Sequence, residues 1–126
     1  MPVIRGIGCD CIEIDRFRLA MSRSGMPLLS RLFTPGEISY CNGNKDPVFS
    51  FAGRFSAKEA LAKALGVGIG ASLSWHDMEI VNDNRGKPSV LWNPEIQKRF
   101  AIQKAHLSIS HSHTIAIAYA LIETTD

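Results

Sequence analysis

Cysteine is scarce in this chain: Cys9, Cys11 and Cys41 make an odd number, three, and Cys9 and Cys11 share one face of a strand. That argues against a disulfide framework and suits a reducing compartment, so a cytoplasmic location is expected. The thiols are read as small buried packing residues rather than bridges or metal ligands. Long apolar runs are missing too. No stretch nears the roughly 20 residues needed to cross a bilayer. The opening MPVIRGIGCDCIEIDRF carries charges throughout, unlike the unbroken apolar middle of a signal peptide. There is no low-complexity tract and no internal repeat, which argues against disorder and repeat arrays. A net charge of +2 is too small for the electrostatics of a nucleic-acid protein. Neither a membrane nor a nucleic-acid partner is expected.

What remains is ordinary globular composition, with 45% hydrophobic and 21% charged residues in 126. That is enough chain for one core, so residues 1–126 are read as a single domain. Charge is uneven along it. From Met1 to Phe33, Arg5, Arg16, Arg18, Arg23 and Arg31 face only Asp10, Glu13 and Asp15, leaving a locally basic segment where an acidic partner could dock.

The pattern over Val3 to Ile12 predicts a strand, with Ile7, Cys9 and Cys11 on one face and Gly6, Gly8 and Asp10 on the other. Asp15 is expected to cap a short helix to about Arg23, stopped by Gly25, with Arg16 and Arg23 two turns apart on one side. Thr34-Pro35-Gly36-Glu37 has the form of a capping box with an early proline, opening a helix toward Cys41. Asp46-Pro47 opens the best-marked helix, which runs through Phe51, Phe55, Ala60 and Leu65 to Gly66. A glycine-rich loop follows. Asp77–Asp83 and Pro88–Trp92 are expected to form a hairpin about Asn84-Arg85-Gly86-Lys87. A short helix from Pro94 to about Gln103 precedes two last strands, His106–His111 and Thr114–Ile122. Hairpins mixed with helices predict an α+β fold, an antiparallel sheet with one long central helix and several short ones.

Chemistry concentrates on the central helix. Glu59 and Lys63 stand at i and i+4, with Arg54 and Lys58 on a neighbouring line. Such pairs usually decorate a solvated face, but the small residues around them in FAGRFSAKEALAKALG suggest close packing instead. Asp10 is a carboxylate inside an apolar strand pattern, either at an exposed edge or held for a purpose. Were Asp10 and Glu59 to meet, a hard divalent cation would relieve their repulsion, and two carboxylates with waters and phosphate oxygens make the open set that Mg²⁺ prefers. Among the histidines, His111 and His113 would share a strand face and His106 the opposite one. A phosphate-binding or hydrogen-bonding histidine is therefore favoured over zinc.

Three segments in this order, GIGCDCIEIDRF at 6–17, FAGRFSAKEALAKALGVGIG at 51–70 and LSISHSHTIAIAYA at 107–120, resemble the holo-acyl-carrier-protein synthase family of phosphopantetheinyl transferases. The resemblance implies transfer of 4′-phosphopantetheine from coenzyme A to a serine of an acyl carrier protein, with release of 3′,5′-ADP. It makes Asp10 and Glu59 the Mg²⁺ ligands and sets Lys63 beside the transferring phosphate. Glu59, or a water beside it, would receive the serine proton. Arg54 and His111 match positions that hold nucleotide phosphates, Ser110 is counted with the coenzyme A contacts, and Gly66, Gly68 and Gly70 match the loop over which coenzyme A lies. Arg16 and Arg23 become the grip on the acidic carrier, although Met26 stands where another basic residue could have stood, which lightens the charge of that surface. Family members of this size are homotrimers with the active site between subunits. Two rivals stand beside this reading: a zinc hydrolase on His111 and His113 with a cysteine, and a non-catalytic module that binds an acidic protein.

Overall fold

The computed structural model describes residues 1–125. In chain order its elements are β1 (Pro2–Glu13), α1 (Ile14–Leu32), α2 (Pro35–Asn42) and α3 (Pro47–Leu65), then a 3₁₀ turn (Trp75–Asp77), β2 (Met78–Asn82), β3 (Pro88–Trp92), α4 (Pro94–Arg99), β4 (Ile102–His111) and β5 (Ile115–Thr125). The strands form an antiparallel sheet in the order β1-β5-β4 and a separate β2-β3 hairpin. The long helix α3 lies across the sheet, mainly on β1 and β5. The fold is α+β, as predicted.

Glycine decides how β1 meets α3. A Cβ at Gly8 would stand 1.9 Å from the Ala60 carbonyl oxygen, and one at Gly6 would stand 2.3 Å from that of Ala64. The glycine face therefore takes the helix, and alternation sends the other face outward. This corrects the reading of the thiols: Cys9 and Cys11 are exposed, and only Cys41 is buried. Ile7, Ile115 and Tyr119, which are 72%, 43% and 57% exposed, share that outer surface.

The capping signatures hold where the side chain can reach the orphan amides. At α2 the Thr34 amide donates to Glu37 Oε1 at 2.9 Å, and the Glu37 amide donates to Thr34 Oγ1 at 3.2 Å. At α3, Asp46 accepts from the Val48 amide, and the helix ends at Gly66 with φ 79°. Asp15 is not a cap. β1 runs straight into α1, Glu13 occupies the cap position without a side-chain bond, and Asp15 sits in the first turn. Gly25 (φ 56°, ψ −142°) breaks α1 as predicted, but after Pro27 the chain resumes helix to Leu32. α4 stops at Arg99, short of the predicted Gln103, because Ala101 at φ 53° turns the chain into β4. Two apolar clusters result. One lies under the C-terminal half of α3 against the sheet, and the other gathers Ile14, Phe17, Phe33 and Phe51 under α1 and α2.

Candidate active site

Asp10 follows Gly6 and Gly8 on the face of β1 that presses on α3, so the tight glycine contact delivers its carboxylate to the helix. Lys63 meets it there. Its Nζ donates to Asp10 Oδ1 at 3.1 Å and to the Cys9 carbonyl at 2.9 Å. Glu59, one turn earlier on α3, is half-buried, and its carboxyl is pushed above the usual carboxylate range by burial first and by the Asp10 charge second, with Lys63 working against both. Side chains from opposite ends of the first 63 residues thus share one electrostatic site. Negative charge is in excess there, the donors are hard oxygens, and the Lys63 side chain is 53% exposed, so the site opens to solvent. Among the described residues no group of three or more His, Cys, Asp or Glu side chains gathers. Two carboxylates on an open rim suit a cation that keeps waters and takes further oxygens from a ligand.

Beside this site runs a groove of about 540 Å³ lined by Ile12, Arg16, Phe17, Arg31, Phe55 and Trp75, among others. Ile12 is the next residue on Asp10's strand face and Phe55 lies one turn before Glu59, so the groove opens next to the carboxylates. Its arginines are Arg16, a candidate grip on the carrier, and Arg31. Arg23 is exposed outside the groove.

A second, more polar cleft of about 290 Å³ holds Tyr40, Ser50, Arg54, Asn82 and His111. Arg54 is 5% exposed. Its Nη2 donates to Asn82 Oδ1 at 2.6 Å and to the Ile80 carbonyl at 3.3 Å, and its guanidinium lies 4.3 Å from the centre of the Tyr40 ring. Its Nε has no partner among the described residues. His111 stacks on Phe49 at 4.9 Å. Ser110 alternates onto the outer face of β4 and is not in the cleft wall. Gly66, Gly68 and Gly70 lie beyond the C-terminal end of α3, about 18 Å along the helix from Arg54. A notional Cβ meets open space at all three, and only Gly66, at φ 79°, is required by its backbone.

Residues 6–120 match the model of the 4′-phosphopantetheinyl transferase superfamily. A holo-[acyl-carrier-protein] synthase of Geotalea daltonii is 44% identical over 124 residues, spanning 96% of this chain and 99% of that protein. The chain belongs to the holo-[acyl-carrier-protein] synthase family. The Helicobacter pylori synthase, solved in complex with coenzyme A, superposes with a TM-score of 0.87 at 39% identity over 92% of this chain and 98% of that one. The Neisseria meningitidis synthase gives 0.90 at 31% identity over 97% of this chain and 100% of that one.

Within this synthase fold the histidines do not converge. His106 Nε2 lies 2.7 Å from Glu123 Oε2 on β5, His111 is held against Phe49, and His113 follows the end of β4. No zinc cradle forms among the described residues. Around Lys58 the charged part of α3 is closely packed, as its small neighbours suggest. Lys58 is 0% exposed, and its Nζ donates to Glu37 Oε1 (2.7 Å), the Leu32 carbonyl (2.9 Å) and the Trp75 carbonyl (3.0 Å). Burial pulls its ammonium below the usual lysine range, and the Glu37 charge opposes that. Glu37 was legible as a helix cap; its second role as partner of a buried lysine left no local signal.

Proposed function

We propose that the chain transfers the 4′-phosphopantetheine group from coenzyme A to a serine of an apo-acyl carrier protein, giving the holo carrier and 3′,5′-ADP. The observation that carries this reading is the meeting of Asp10, Glu59 and Lys63 at one open rim, beside a groove edged by arginine. Asp10 and Glu59 fit Mg²⁺ by the chemistry of their oxygens and by the excess negative charge between them, and would hold it there. When bound, the ion supplies charge neutralisation and alignment at the coenzyme A diphosphate.

Phosphoryl transfer asks little covalent chemistry of the protein, so the side chains act by placement and charge. Lys63, steadied by Asp10 and the Cys9 carbonyl, offsets the charge that gathers on the departing 3′,5′-ADP. The attacking serine must lose its proton. Glu59, or a water beside it, receives that proton, being the half-buried carboxylate nearest the rim. Arg16 and Arg31 at the groove draw in the acidic carrier, with Arg23 extending the basic face of α1.

Coenzyme A contacts are assigned to Arg54, Lys63, Ser110 and His111 and to the loop bearing Gly66, Gly68 and Gly70. Arg54 and Glu59 are five residues apart and so about 140° apart around α3. One nucleotide cannot lie against both sides of that helix, which favours a site completed by a second copy. The exposed Ile7, Ile115 and Tyr119 surface gives the copies an apolar face to share. A homotrimer follows from the family pattern. Residues 1–126 are read as one domain, working in the cytoplasm to activate the carrier of fatty acid biosynthesis. The test is direct: incubate the chain with an apo carrier, coenzyme A and Mg²⁺ and weigh the carrier. Gain of one phosphopantetheine supports the reading; binding without any change in mass leaves only a docking module.

A further inference from the structure

We propose that Lys58 is a positioning residue for the carrier reaction: its buried ammonium, with Glu37, clamps the second half of α1 and the Trp75 turn to α3 and so fixes the groove beside Asp10 and Glu59. The inference rests on the functional reading above and names the device that shapes its carrier side.

The groove takes its walls from three separate segments, which share an apolar cluster but no continuous helix. Arg16, Phe17 and Ala20 come from the first half of α1, Leu28, Arg31 and Leu32 from the half beyond the break at Gly25, and Trp75 from the 3₁₀ turn. A glycine at φ 56° followed by Pro27 is a joint. The second half of α1 is therefore not held in line by helix continuity. It is held from below. Lys58 Nζ takes the Leu32 carbonyl from the last turn of that half, the Trp75 carbonyl from the opposite wall, and Glu37 Oε1 from α2. Glu37 then passes the link on, accepting the Thr34 amide at 2.9 Å and the Ile80 amide of β2 at 2.8 Å. A surface strap runs parallel, His76 Nε2–H donating to the Ser30 carbonyl at 2.7 Å.

One ammonium thus sets the distance between Leu32 and Trp75. These are facing walls of the groove, and Trp75 in turn stacks on Phe55 at 5.2 Å. Lys58 touches neither carboxylate of the reacting site and does not line the Arg54 cleft. Its loss should be felt by the macromolecular substrate and not by the nucleotide. Displacing a substrate wall by about 1 Å is enough to cost about a hundredfold in productive alignment.

The test compares Lys58→Met, Glu37→Gln and the pair, each in a Trp92→Phe background so that Trp75 is the single tryptophan. The single variants strand a buried charge and lower the melting temperature, to the point of unfolding if the hub is tight enough. The pair leaves no charge buried there and keeps the protein folded. In the folded pair, kcat/KM for the apo carrier should fall at least about tenfold while KM for coenzyme A stays within about twofold. Acrylamide should quench Trp75 more readily than in the parent at the same temperature. A merely structural role would restore carrier kinetics along with the melting temperature. Wild-type kcat/KM for the carrier in the folded pair, or unchanged Trp75 quenching, overturns the proposal. If the parent chain modifies no carrier at all, the functional reading falls and takes the carrier half of this one with it, while Trp75 quenching still decides whether the clamp exists.

Discussion

A single methyl group at Gly8 tests whether the contact between β1 and α3 is what assembles the reacting site. The Cβ of Gly8→Ala would lie 1.9 Å from the Ala60 carbonyl oxygen and 2.9 Å from the Ala60 carbonyl carbon and the Ala64 nitrogen, where ordinary contact starts at 3.4 Å. All three atoms belong to the helix backbone, so no side chain can rotate away and the strand must retreat by about 1.5 Å. Overpacking of this kind costs about 1–3 kcal/mol, and rigid neighbours place Gly8→Ala at the upper end. For a chain of this length that is a fall of about 10 °C in Tm, which leaves a folded protein at room temperature. Activity should suffer more than stability. Asp10 is the next residue on the retreating face and would be drawn off Lys63 and away from Glu59, so the rate of carrier modification should drop by about a hundredfold or more. Differential scanning fluorimetry and intact-mass analysis of the carrier at early times read the two effects separately. A folded Gly8→Ala protein working near the wild-type rate would refute the claim that strand–helix proximity builds the site.

Other outcomes follow from the same geometry. Glu59→Gln should cut transfer by about 10² to 10⁴ without lowering Tm, because it removes a carboxylate that burial and Asp10 already disfavour; a large Tm loss would mean that Glu59 serves the fold. Chelation should abolish activity and added Mg²⁺ restore it, as measured by carrier mass; full activity in a strong chelator would remove the ion from the scheme. Arg16→Glu should raise KM for the carrier, most at low salt, and leave that for coenzyme A alone. Thiol labelling at pH 8 should spare Cys41, which is fully buried with its thiol pushed up to about 11, so that little thiolate forms. Cys9 and Cys11 should label faster as the protein is diluted if a second copy covers their strand face, and labelling independent of concentration would argue against that cover.

Local signals carried much of the fold into the sequence. Thr34-Glu37 and Asp46-Pro47 announce helix starts because the groups that satisfy one another lie within four residues, and the β2-β3 turn is set by Asp83, Gly86 and their neighbours. The errors have physical causes as well. The pattern points to buried Cys9 and Cys11 because apolar residues usually take the covered face, yet here the covered face is glycine, suited to closeness rather than hydrophobicity. The restart of α1 after Pro27 is hidden by the glycine before it. The site was legible only in part. Asp10, Glu59 and Lys63 stood out as charges in the wrong company, but their convergence depends on a contact spanning about fifty residues. The Lys58–Glu37 pair depends on one spanning 21, and no periodicity reports either.

The helix α3 shows why its charges resisted a reading by face. An ordinary surface helix has one apolar stripe and one wet side, so charge marks solvent. α3 is covered nearly all round: its alanines lie against the sheet, Arg54 reaches the hairpin at Ile80 and Asn82, and Lys58 reaches α1, α2 and the Trp75 turn. Every charge on such a helix must find a partner or an opening, since an unpaired buried ion is prohibitively costly. Lys58 and Glu59 are neighbours in sequence but about 100° apart around the axis. That rotation seals one within a three-acceptor clamp and leaves the other at the rim beside Asp10. The same turn of helix therefore both shapes the groove and presents the acid, and exchanging the two residues, Lys58→Glu with Glu59→Lys, would bury a carboxylate against Glu37 and remove the reacting carboxylate at one stroke. Net charge and helix propensity barely change in that swap, so failure of the swapped chain to fold or react would be due to placement alone.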